Sequence, residues 1–175
     1  MKKILVLYKS KYGSTKKYAQ WISEELNCDI ESTDNAKIDF VKNYDVIILG
    51  GGIYATGIAG ISFLKKHYEN LKNKTLIVFA VGASPYDKKS LECLKEKNLK
   101  DDLSSIPCFY LRGAWNEEIM SLKDRILCNL LKKAVSKKDP KDYEIWEKAL
   151  MNAVGNNCDW TDKKSITPII KIINS

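Results

Sequence analysis

The sequence is poor in the residues from which metal centres and covalent frameworks are built. It has one histidine and five cysteines. Cys28, Cys93, Cys108, Cys128 and Cys158 are odd in number and widely spaced, with no CxxC pair, so neither a disulfide framework nor a zinc site is suggested. His67 has no Cys, Asp or His at ligand spacing and reads as a surface residue, so no metal is expected. Arginine is nearly absent, with only Arg112 and Arg125. The net charge of +7 therefore rests on lysine, often interleaved with acids as in Lys95-Glu96-Lys97, which is the pattern of solvated helix faces. That pattern speaks against a nucleic-acid partner and leaves a peripheral membrane contact or an acidic partner open. Long apolar runs are missing too. The opening run after Met-Lys-Lys ends at Lys9, too short for a signal-peptide core or a membrane span, so a reducing, cytoplasmic setting with buried free thiols is expected.

What is present is alternation. The 175 residues, 45% of them hydrophobic, suit one sizeable core, and a single domain over 1–175 is expected. Apolar runs at Ile4 to Tyr8, Val46 to Leu49, Leu76 to Val81 and Cys108 to Leu111 read as strands buried on both faces, and Cys28 to Glu31 as a brief, polar edge strand. Between them, Thr15 to Leu26 carries Tyr18, Ala19, Ile22 and Leu26 at helical spacing. Ile61 to Leu71 carries Ile61, Leu64, Tyr68 and Leu71 in the same way. Glu117 to Lys133 is a longer amphipathic stretch with Ile119, Leu122, Ile126, Leu127, Leu130 and Leu131, the expected helix after the fifth strand. Asp139-Pro140 opens a helix expected to run to Val154 and to stop at Gly155, and Ile166 to Ile173 is a last amphipathic segment with Pro168 in its first turn. Strand-helix-strand alternation implies a parallel α/β sheet. The four tryptophans and the strand and helix cysteines read as packing residues, with Trp115 either bordering the crevice or sealing the core.

Three segments carry chemistry. Ser10, Lys11, Tyr12, Gly13, Ser14 and Thr15 stand between the first strand and the first helix, where backbone amides converge and favour a phosphate; the hydroxyls add donors, and Gly13 permits close approach. The spacing is neither Walker A nor Gly-x-Gly-x-x-Gly. Gly50-Gly51-Gly52 followed by Ile53, Tyr54, Ala55, Thr56 and Gly57 forms a glycine-rich loop at the end of the third strand, with Tyr54 able to cover a ring. Val81, Gly82, Ala83, Ser84, Pro85 and Tyr86 repeat the theme after the fourth strand. Loops at the carboxyl ends of neighbouring parallel strands define one crevice, and this one suits a mononucleotide with a planar head.

These residues resemble the flavodoxin-like FMN-binding proteins. Ser10 to Thr15 is similar to the flavodoxin phosphate loop, with Tyr12 where long-chain flavodoxins usually have threonine. Tyr44-Asp-Val-Ile-Ile-Leu-Gly-Gly-Gly-Ile-Tyr, Phe63-Leu-Lys-Lys-His, Arg112-Gly-Ala-Trp and Asp159-Trp-Thr-Asp look closest to the flavodoxin-domain group that includes the menaquinone-dependent protoporphyrinogen IX dehydrogenases. The resemblance implies a doubly wound five-stranded parallel sheet, order 2-1-3-4-5, with extra C-terminal helices. It also implies FMN, its phosphate on residues 10 to 15 and its ring between the 52–57 and 81–86 segments. The flavin would then pass electrons, in a carrier or in a small dehydrogenase or quinone reductase working with a redox partner protein, a quinone or a small molecule. Porphyrin oxidation is the second reading, because Tyr54 and the lysine-rich Asp87 to Ser105 stretch replace arginines where a propionate-bearing macrocycle needs cations. A non-catalytic partner-binding module is the third. A phosphoreceiver is ruled out, since Lys9-Ser10-Lys11 and Gly50-Gly51-Gly52 occupy the places of its acidic cluster and phosphorylatable aspartate.

Overall fold

The apolar runs become five parallel strands in a computed structural model that describes residues 2–174; Met1 and Ser175, included in the expected domain over 1–175, lie outside the described residues. The strands are β1 (Ile4–Lys9), β2 (Asp29–Ser32) and β3 (Val46–Tyr54), then, after the two-residue β4 (Gly57–Ile58), β5 (Thr75–Gly82) and β6 (Cys108–Arg112). Their spatial order is β2-β1-β3-β5-β6, the doubly wound order expected for the parallel strands, with β4 folded back antiparallel on β3. In chain order the other elements begin with α1 (Ser14–Leu26), the one-turn α2 (Ile38–Val41), α3 (Ile61–Leu71) and α4 (Lys88–Asn98). The short strand β7 (Ala114–Trp115), α5 (Leu122–Val135), α6 (Ile145–Ala153), β8 (Cys158–Asp159) and α7 (Thr167–Asn174) complete the set, with β8 antiparallel to β7.

Both sheet faces are covered, which is why the strands read as continuous rather than alternating. Leu5, Leu7, Ile47, Leu49, Val78 and Ala80 point to one face, where Ile61, Leu64 and Leu71 of α3 and Leu94 of α4 pack. Val6, Ile48, Ile77 and Phe79 point to the other, against Tyr18, Ala19 and Ile22 of α1 and Ile169 of α7. Each Val, Leu or Ile side chain among them stabilises by about 1.5–3 kcal/mol relative to exposure, so these two layers hold the sheet. Cys28 and Cys108 are partly buried at its margins, and burial pushes both thiols up to about 11, away from reactivity.

One helix is added and three expectations change. The 87–105 stretch contains α4, started by Asp87, whose carboxylate accepts from Ser90 N at 2.8 Å. The expected helix from Pro140 to Val154 is interrupted. A single turn at Pro140–Asp142 is capped by Asp139, and α6 then restarts at Ile145 because Glu144 and Glu147 form a reciprocal capping box in extended backbone. Trp146, expected to pack, is exposed. Most consequentially, α5 does not present its apolar stripe to the core. Among residues 122–135 only Val135 is buried, and α7 takes the place beside α1.

Candidate cofactor site

The β1–α1 loop holds a donor-rich helix end. Gly13, at the N-cap of α1, has a φ of 96°, a conformation only glycine adopts without strain, and no atom lies within 4 Å of where a Cβ would stand. Ser10 Oγ accepts from Gly13 N at 3.1 Å and tightens the loop. No side chain caps α1, so its first-turn amides remain available to an anion. Ser14 is partly exposed, whereas Thr15 is buried. Lys11 and Tyr12 both hydrogen-bond the Asp124 carboxylate, and Ser121 N donates to Tyr12 Oη at 3.1 Å. The Asp124 bond holds the Lys11 amine above its ordinary value, while Lys11 and then Tyr12 hold Asp124 below the usual carboxylate range.

The glycine triplet is not a loop, as the sequence suggests, but the interior of β3. Gly50, Gly51 and Gly52 pair with Phe79, Ala80 and Val81 of β5, and Gly50 and Gly51 with Tyr8 and Lys9 of β1. A Cβ on Gly50 would stand 2.0 Å from the Phe79 ring, and one on Gly51 2.1 Å from Ala59 O, so these glycines serve close packing. The loop proper is a two-residue hairpin turn, Ala55 and Thr56, with φ of 46° and 72°, in which Ile53 pairs with Ile58 and Tyr54 with Gly57. Asn98, at the end of α4, accepts from Ile58 N at 2.9 Å and donates to Thr56 O at 2.8 Å, pinning the turn. Tyr54 lies back over Gly52, edge-on to Tyr12 at 6.4 Å between ring centroids, with Lys11 Nζ 5.9 Å from its ring. Burial first, and then Tyr12, raises the Tyr54 phenol above its ordinary value.

Val81 and Gly82 end β5, and Ala83 to Tyr86 form the third loop. Two side chains from β6 hold it: Tyr110 donates to Ser84 O, and Arg112 Nε donates to Ala83 O at 3.0 Å. Tyr86 is exposed at the rim, 6.4 Å from the Tyr110 ring. The expected site residues thus meet in a closed circuit. Tyr12 touches Tyr54; Ile53 and Tyr110 crowd Gly82; Gly113 N donates to Gly82 O at 2.7 Å; and Gly113 abuts Ser14. Four carboxyl-end loops therefore converge around the uncapped end of α1, the placement open α/β sheets use for ligands. A separate groove of about 960 Å³, lined by Lys2, Lys3, Asp29, Phe40 and Tyr44, opens among the start of β1, the start of β2 and the α2–β3 turn, and it lacks these loops.

Asn98, Ser121 and Asp124 lie roughly 40 to 110 residues from the loops they hold, and no local pattern marks them. The Asp159-Trp-Thr-Asp motif carried a signal, and its role is now visible. Lys17 of α1 donates to Asp159 and Thr161, Trp160 N to Gly113 O, and Asp162 N to Tyr18 Oη, while Arg112 stacks on the Trp160 ring at 4.1 Å. This late segment fastens α1 to the end of β6.

Residues 5–156 match the family model described as flavodoxin domain. Uncharacterized protein MJ0298 from Methanocaldococcus jannaschii is 35% identical over 112 residues, covering 59% of this chain and 67% of that protein. A putative flavoprotein from Bacteroides eggerthii is 19% identical with a TM-score of 0.50, covering 74% of this chain and 96% of that one, a likeness that speaks for a shared fold. A flavoprotein from Lactobacillus acidophilus, solved in complex with FMN, is 18% identical with a TM-score of 0.44, covering 64% of this chain and 93% of that one.

Proposed function

Because the chain belongs to the flavodoxin domain family, we propose that it binds FMN in the crevice ringed by the four loops and serves as a flavin-dependent redox protein. The observation that carries this reading is the convergence of those loops on the uncapped, glycine-opened N-terminus of α1. The first-turn amides and the Ser10 and Ser14 hydroxyls would hold the phosphate. Tyr54 and the 81–86 segment would border the ring. When bound, the flavin supplies one- or two-electron exchange, and the chain's own part is to orient it, exclude water and tune its potential. The paired Lys11 and Asp124 leave little net charge beside the loop, so the amide dipoles are the main anchor for the phosphate.

A carrier or a small quinone-type reductase fits this reading better than porphyrin oxidation. Lys11 and Arg112, two cations of the crevice loops, are engaged by Asp124 and by the Ala83 carbonyl with the Trp160 ring, and Tyr54 offers no charge to a propionate. The purified protein, desalted, is expected to keep flavin absorption bands at about 370 and 450 nm. Ser14→Ala is expected to weaken FMN binding by about 0.5–1.5 kcal/mol, as for one hydrogen bond. Colourless protein that takes up no added FMN would overturn the reading in favour of a partner-binding module.

A further inference from the structure

Helix α5 carries an apolar side that the protein leaves uncovered. Leu122 is 72% exposed, Ile126 52% and Leu130 58%, and Leu127 and Leu131 are also exposed. Spacings of four along 122, 126 and 130, with 127 and 131 beside them, place these side chains on one broad arc. The opposite edge, with Asp124, Cys128 and Val135, is the one turned to the protein. Charge on the helix is one-sided as well. Lys123, Arg125, Lys132 and Lys133 face a single acid, Asp124, which is consumed by Lys11 and Tyr12 at the loop. By helical spacing Lys123 and Lys133 fall within the leucine arc itself.

We propose that α5 is a docking helix for an anionic lipid surface, its aliphatic arc seated at the acyl boundary and its lysines reaching the headgroup phosphates. Charge complementarity selects this occupant. An α5-to-α5 contact with a second copy would bring Lys123 and Lys133 against like charges, whereas anionic headgroups neutralise them. The chain's net charge of +7 adds long-range attraction of the same sign. The contact is interfacial, since among the described residues no helix is long and apolar enough to cross a membrane. Ile145 and Trp146 on α6, which packs against α5, are exposed as well.

The test is flotation of the full chain with vesicles of phosphatidylcholine, with and without phosphatidylglycerol. The variants are Ile126→Gln with Leu130→Gln, and Lys123→Glu with Lys133→Glu; all four side chains are exposed, and circular dichroism checks that both variants fold. Binding to the anionic vesicles is expected, weaker at high salt, and reduced at least about ten-fold by either double variant. Three results would overturn the proposal. One is no flotation of the wild-type chain. Another is flotation unchanged in both variants. The third is a concentration-dependent dimer in sedimentation velocity that replaces vesicle binding and is lost with the glutamine variant, which would give this face to a second copy.

Discussion

Replacing Asn98 by alanine removes one side chain that serves three backbone groups. Asn98 is 5% exposed; its Oδ1 accepts from Ile58 N at 2.9 Å, and its Nδ2 donates to Thr56 O at 2.8 Å and to Leu94 O at 2.9 Å. Ile58 is itself buried, so its N–H loses that acceptor where water cannot replace it, at a cost of about 1–3 kcal/mol. Thr56 is exposed, and its carbonyl can turn to water, so that bond contributes only about 1 kcal/mol net. Leu94 O keeps its helical partner and adds little. The expected total is about 2–4 kcal/mol, which for a chain of this size lowers Tm by about 4–16 °C. Urea unfolding with an unchanged m-value is the assay, read by circular dichroism. Because Asn98 pins a turn whose two residues sit in left-handed backbone, the variant should also show faster amide exchange from 53 to 58 than elsewhere on β3. A loss below about 1 kcal/mol, with exchange at those amides unchanged, would refute the claim that a buried side chain holds the hairpin.

Gly50→Ala is expected to cost about 1–3 kcal/mol or more, because its Cβ meets the buried Phe79 ring 2.0 Å away, and Phe79→Leu in the same chain should recover part of that loss. Additive costs in the double-variant cycle, measured by urea unfolding, would remove the ring as the cause. Glu147, buried at the start of α6, accepts from Lys138 Nζ at 2.5 Å and Glu144 N at 2.9 Å, and these bonds, Lys138 first, hold its carboxyl below the ordinary glutamate range. A depressed folded value means the stabilisation is present above that range and is lost as pH falls through it. The urea-midpoint gap between wild type and Glu147→Gln should therefore narrow between about pH 6 and 3, and parallel curves would count against the ion pair.

The five parallel strands were legible because each is a short β-branched or aliphatic run flanked by turn residues, and four of them keep their expected bounds to within one residue. The third strand overran its expected end by five residues, since three glycines signal a loop locally yet are required inside β3 by the Phe79 ring and the Ala59 carbonyl. Helix α4 was hidden because its buried apolar contribution is slight, Leu94 with Leu91 partly buried, amid lysines. The strand-glycine-helix junction at residues 10 to 15 was legible from local pattern, and the structure has it between β1 and α1. Asn98, Ser121 and Asp124 were not legible, because hydrogen bonds between distant segments leave no periodicity to read.

The sequence by itself determined the alternation of elements, the two-sided burial of the sheet and the amide-rich loop after β1, since these follow from local propensity and hydrophobic period. Only the tertiary structure decided which helix covers the second face. α5 and α7 are both amphipathic, and periodicity tells that a face is apolar but not what lies against it. The Lys17–Asp159 and Tyr18–Asp162 contacts carry the chain's late segment back to α1, so α7 packs there with Ile169 fully buried and α5 is left with its leucines in solvent.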